Sequence, residues 1–275
     1  MSSYQYYEFL AVDRPLDAKA QAEMRALSSR AQITATSFVN EYHWGDFSGS
    51  PEQLMQSHYD AHLYLADWGT RRVMFRLPTR LLTLSTVEPY CVDNRVTAWV
   101  KGRHLVLELV SEDDAGEEDL EPDGLLSSLV GVRAELAAGD HRGLYPAWLA
   151  GYGTWERDEH ACDSEEDAHL EPPVPVGLGT LTAPQRALAD FLRLDEDLLA
   201  VAVENSRPLD ETTGDAEGLA IWLGNLTTAE KNRLLLRVVT KDAQTRGPAE
   251  PGSGSACVSP RSRDGVSSRE PSGAA

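Results

Sequence analysis

The stretch VTAWVKGRHLVLELV, residues 96–110, constrains the fold more than any other part of the chain. Two alternating, β-branched runs flank a tight Lys-Gly turn, which is the pattern of an antiparallel hairpin. An isolated hairpin is marginal in water, so it requires further strands and a covering layer of helices. The sequence supplies both. YQYYEFLAV, TSFVNEYHW and RRVMFRLP read as strands, and DRPLDAKAQAEMRALSSRA as a helix entered through an aspartate and a proline. Ser50-Pro51-Glu52-Gln53 combines a serine cap, a proline at the first helical position and a capping-box glutamine. It starts a helix expected to run to about Asp67, with Gly69 as its stop.

DGLLSSLVGVRAELAAGD and GLYPAWLAGYG then predict two helices packed on the sheet. The fold class that follows is α+β: a mixed sheet with helices over residues 1–155, carrying an acidic loop at 111–123. The Pro/Gly-rich EPPVPVGLG closes an acidic linker over 156–179. Beyond it, the capping boxes Thr182–Gln185 and Thr227–Glu230 and the cap Asp195 predict a small all-α domain over 180–240. The tail 241–275 is Gly, Ser and Pro with scattered charge and has almost nothing to bury, so disorder is expected there.

The formal charge of -19 is concentrated, since residues 111–171 hold 18 acidic and 3 basic groups. Such runs stay hydrated and disfavour nucleic acid and anionic membranes as partners. No apolar run approaches the roughly 20 residues that span a bilayer, and MSSYQYYEFLAVDRPL has no signal-peptide pattern. A cytoplasmic protein is expected. Cys91, Cys162 and Cys257 are odd in number and far apart, which fits reduced structural thiols better than a disulfide framework.

YQYYEFLAVDRPL, NEYHWGDF, DAHLYLADWGTRR and FLRLDEDLLAVAVENS together resemble a family of uncharacterised proteins of GC-rich bacteria. The similarity covers most of residues 4–240. It implies a bacterial cytosolic origin and transfers no activity, ligand or catalytic residue. The tail departs from it where more helix is implied, which points to a truncated or frame-shifted end.

Two histidine groups invite a metal reading. His58 and His62 stand at i and i+4 of the second predicted helix, but Tyr59 occupies the place of the zincin glutamate. Asp60 points away on the helical wheel, so the pair is expected to be core histidines without metal. His160, Cys162 and His169 match no tetrahedral spacing, and a solvated loop is the simpler reading. GYGTW and GLGT lack a phosphate-loop lysine, and no GxSxG elbow occurs.

Strand alternation offers one richer set. If the aromatic and aliphatic sides of the strands all turn to the helices, Glu8, Glu41, His43, Arg72 and Arg76 gather on the opposite face. That set suits an anionic or zwitterionic ligand or acid/base work, while cross-strand ion pairing explains it without a ligand. A nucleic-acid face using Tyr6 or Trp44 for stacking is diluted by Glu8 and Glu41. Every catalytic motif lacks a necessary residue, so the function expected is a non-catalytic interaction or adaptor protein without cofactor, with another protein as partner. A small-molecule binder or enzyme using the sheet-face set is the alternative.

Overall fold

The computed structural model describes residues 4–113, 122–156 and 170–209, together with Thr227 and Lys231. Most of both acidic stretches, most of 210–240 and the whole 241–275 tail lie outside the described residues. The chain divides into a unit Met1–Asp210 and a second, Glu211–Ala275.

In the first unit the order is β1 (Gln5–Leu10), α1 (Ala18–Leu27), β2 (Gln32–Ile33), β3 (Ser37–Tyr42), α2 (Pro51–Ser57), β4 (Ala61–Ala66), β5 (Arg71–Pro78), α3 (Leu84–Val87), β6 (Val96–Lys101) and β7 (His104–Ser111). The helices α4 (Leu125–Ala137), α5 (Leu144–Glu156), α6 (Ala183–Phe191) and α7 (Glu196–Asn205) follow. The strands form one seven-stranded sheet in the order β2-β3-β1-β4-β5-β7-β6. The α+β class is as the sequence predicts, and every pairing is antiparallel where a mixed sheet was expected. The β6–β7 hairpin closes with Lys101 opposite His104, and Gly102 takes the positive φ of 61° that this turn needs.

Both faces of the sheet are buried. Tyr7, Phe9, Phe38, Met74 and Val106 pack under α1 and α2 against Met24, Met55 and Tyr59. On the other face Tyr6, Leu63, Val73, Phe75, Leu77 and Leu107 lie under α4, α5 and α6. Strands buried on both sides read as near-continuous apolar runs, and β7 is such a run.

α6 belongs to this core. Leu188, Phe191 and Leu192 share a cluster with Leu126 and Leu129 of α4. The two helices approach closely at Gly131, where a Cβ would stand 2.5 Å from Cγ of Pro184. The boundary expected at residue 180 therefore falls inside one compact unit, because α6 covers the sheet alongside α4.

The second predicted helix is shorter than its cues suggest. Ser50 caps it at Gln53 N, 3.2 Å, but it ends at Ser57 and residues 61–66 form the central strand β4. Ala61, Leu63 and Leu65 face one core and His62 the other, so β4 has no polar side to reveal a period of two. Pairing with β1 and β5 overrides the helical pattern.

His62 is thus a core residue for a different reason than expected. Its ring stacks on Phe9 at 3.9 Å and 12°, and Nδ1–H donates to the Glu8 carbonyl at 2.9 Å. Burial pushes its pKa down to about 3. Unfolded histidine takes a proton near 6.5, so below that pH the unfolded state binds more protons and stability falls as pH drops toward 3. In urea unfolding across this window, wild type is expected to lose up to ~1.4 kcal/mol more per pH unit than His62→Leu. Parallel curves for the two proteins would contradict this placement.

Candidate functional site

The five residues of the sheet-face set do not meet. Glu8 and Glu41 share a face with Tyr6 and Leu63, as the registers Tyr6↔Glu41 and Glu8↔Leu63 require. Arg72 and Arg76 share the opposite face with Met74 and His62. His43 lies just beyond β3, exposed, with its ring 5.3 Å from that of Tyr4. Alternation orders residues within a strand, whereas register decides which sides of two strands coincide. The aromatic side of β1 coincides with Met74, not with Val73, Phe75 and Leu77.

Both arginines are engaged by other carboxylates. Arg72 Nε lies 3.2 Å from Glu108 Oε1 and Nη1 lies 3.8 Å from Glu52 Oε1, with the guanidinium 5.8 Å from the Tyr64 ring centre. Burial raises the Glu108 carboxyl above its ordinary range, and Arg72 opposes that shift. Burial likewise raises Glu8, whose Oε2 accepts from the Tyr6 hydroxyl at 3.1 Å. Arg76 donates twice to Asp60 Oδ1, at 3.1 and 2.7 Å. Asp60 is 1% exposed, and its Oδ2 accepts the backbone N–H groups of Val12 and Asp13 at 2.8 and 2.9 Å. Arg133 completes the network from α4, donating to the Arg76 carbonyl and to Asp13 Oδ2, both at 2.7 Å.

Sequence reasoning missed Asp60 and Arg133. The signal for Arg133 was present, because it falls on the Leu126–Leu129–Leu136 stripe of an otherwise apolar helix face. Asp60 left no such trace, since its partners come from residues 12, 13, 76 and 133.

The histidine pair is also separated by local structure. His58 ends α2 with Nε2 at 3.5 Å from Glu23, in a crevice of about 400 Å³ beside α1, while His62 is sealed in the core. The helical i, i+4 geometry that lets two imidazoles share one ion does not exist here. His160, Cys162 and His169 lie outside the described residues. Among the described residues no three His, Cys, Asp or Glu side chains form a metal-ligating group, and no helix is long and apolar enough to cross a membrane.

An apolar groove lies elsewhere, between α6, α7 and the turn Leu178–Thr180. It encloses about 570 Å³ and is lined by Leu178, Leu181, Ala189, Leu194, Leu199 and Val203. Arg186, Asp190 and Glu196 stand at its rim. Among the described residues, α7, with the core sequence LLAVAV, buries Ala202 and leaves Leu198, Leu199 and Val203 partly covered, the last two beside the groove. A helix apolar nearly all round is ordinarily buried all round. Here Val201 is 59% exposed. Comparison with protein-family models, with curated proteins and with solved structures finds no match.

The pairing on the α1/α2 side is checked by double-mutant cycles. Arg72→Ala and Glu108→Ala are expected to couple by about 0.5–1 kcal/mol, a half-buried pair discounted for solvent screening. Arg72→Ala with Glu41→Ala should be additive within about 0.3 kcal/mol. Coupling to Glu41 instead of Glu108 would show that the sheet register is wrong.

Proposed function

We propose that this protein is a non-catalytic interaction module and that the α6–α7 groove receives a helix of a partner protein. The observation that carries the reading is α7 itself, whose apolar residues exceed what the other described residues cover. A helix laid in an apolar groove is a common mode of recognition, with anchors at i, i+3, i+4 and i+7. The charges choose among such helices. Asp190 and Glu196 at the rim, with the exposed Asp197 and Glu204 of α7, outnumber Arg186, so the partner helix carries Lys or Arg beside its apolar stripe. The formal charge of -19 steers basic partners by the same sign.

The pairing of Arg72 and Arg76 with Glu108 and Asp60 supports this over the ligand-binding alternative, which needed both arginines beside Glu8 and His43. A cytoplasmic setting in a GC-rich bacterium follows from the family resemblance and belongs to the proposal.

A synthetic amphipathic Leu/Lys helix, with its Leu/Glu counterpart as control, tests the reading by fluorescence anisotropy at physiological salt. The Lys peptide is expected to bind, and Leu199→Asp to weaken it about tenfold or more while shifting Tm by no more than about 2–3 °C. Binding that ignores Leu199→Asp, or equal affinity for the acidic peptide, would overturn the assignment.

A further inference from the structure

A second surface stands at one end of the sheet. Among the described residues, the two exposed tryptophans, Trp44 at 73% and Trp68 at 47%, both lie there. Gln5 of β1 pairs with Tyr42 of β3 on one side and with Ala66 of β4 on the other. Those two residues are two strand spacings apart, about 10 Å. Trp44 and Trp68 each follow two residues later, so they flank the start of β1. At the same end of the sheet the rings of Tyr4 and His43 lie 5.3 Å apart.

The backbone beneath this cluster is held. Tyr4 N donates to Asp67 Oδ2 at 2.8 Å, and Asp67 N donates to the Tyr4 carbonyl at 3.1 Å. The buried Gln5 amide donates to Asp46 Oδ1 at 3.1 Å and to the Gly45 carbonyl at 3.4 Å, fixing the loop that carries Trp44. Two exposed carboxylates, Asp46 and Asp67, are thus carried on the same braced loop and turn as the two tryptophans. Arg193 reaches this edge, but its Nη1 donates to the Gly69 carbonyl and the Ser111 hydroxyl, both at 3.1 Å.

The geometry points to a docking surface for an extended, arginine- or lysine-bearing segment of a partner protein, with cations held over Trp44 and Trp68 and countered by Asp46 and Asp67. Indole faces attract cations, and a nearby carboxylate adds a charge-assisted hydrogen bond to the same group. Exposed tryptophan and tyrosine are also the side chains that dominate protein interfaces. A neutral sugar stacks on indole without needing both carboxylates, so the acid pair favours the basic segment. This surface is independent of the α6–α7 groove and uses none of its residues.

The test is NMR of the full chain with ¹⁵N-labelled indoles, the two resonances assigned by their loss in Trp44→Phe and Trp68→Phe. The probe is a glycine-spaced diarginine peptide, compared with its glutamate counterpart and with a neutral disaccharide. Saturable shifts of both indoles with the arginine peptide alone are expected. Trp44→Ala or Trp68→Ala should each weaken binding about threefold, and Asp46→Asn with Asp67→Asn about as much again. Asparagine retains the acceptor oxygen that Tyr4 N and Gln5 use, so the brace survives this change. No shift up to about 10 mM peptide, equal shifts with the glutamate peptide, or shifts with the disaccharide alone would each overturn the proposal.

Discussion

The carboxylate of Asp60 ties the layers of this protein to one another. At 1% exposed it accepts two backbone donors from the segment after β1 and two from the Arg76 side chain on β5. Its own backbone continues the ladder, with Asp60 N donating to the Leu10 carbonyl and Arg76 N to the Asp60 carbonyl, both at 2.8 Å. Arg133 reaches the same node from α4, on the far side of the sheet. A charge removed from water this thoroughly is tolerable only when its lone pairs are occupied, and here both oxygens are. The node also explains why α2 stops: the carboxylate must sit where β1, β4 and β5 converge, which a helix continuing to Asp67 would not allow.

Burial of both sheet faces shapes where function resides. An antiparallel sheet often leaves one face wet, and a ligand cluster would naturally sit there. This sheet leaves none over its centre, and Arg72, Arg76 and Arg133 are drawn into internal pairs. Exposed apolar surface is displaced to the periphery, to the undercovered α7 and to the β1 end with its tryptophans. Both places carry excess carboxylate. Exposed apolar and acidic groups at these margins are what the proposed binding of basic partners would use.

Much of this was legible in the sequence, because local chemistry decided it. The β6–β7 hairpin, α1, the Ser50 cap and the Thr182–Gln185 capping box depend on neighbours within a few residues, and each stands where the pattern put it. β4 was not legible. AHLYLA has apolar residues on both sides because both sides are buried, and the preceding cap and following glycine lent it a helical frame. The sheet-face set failed for a related reason: each strand's alternation was right, but joining them required a register that pairing partners tens of residues away supply, 35 for Tyr6 and Glu41 and 55 for Glu8 and Leu63. The groove was invisible for the opposite reason, since α7 reads as an ordinary core helix and only the packing reveals that little covers it.

The role of Asp60 is tested most directly by native-state hydrogen exchange of the Val12 and Asp13 amides. These lie outside any strand, in a segment that would ordinarily exchange through local fraying. If the Asp60 carboxylate holds them, they exchange as slowly as the central amides of β4 and β5, and Asp60→Asn accelerates them before it affects the β6–β7 hairpin. Exchange of Val12 and Asp13 at the rate of a free loop in the wild-type protein would contradict the account.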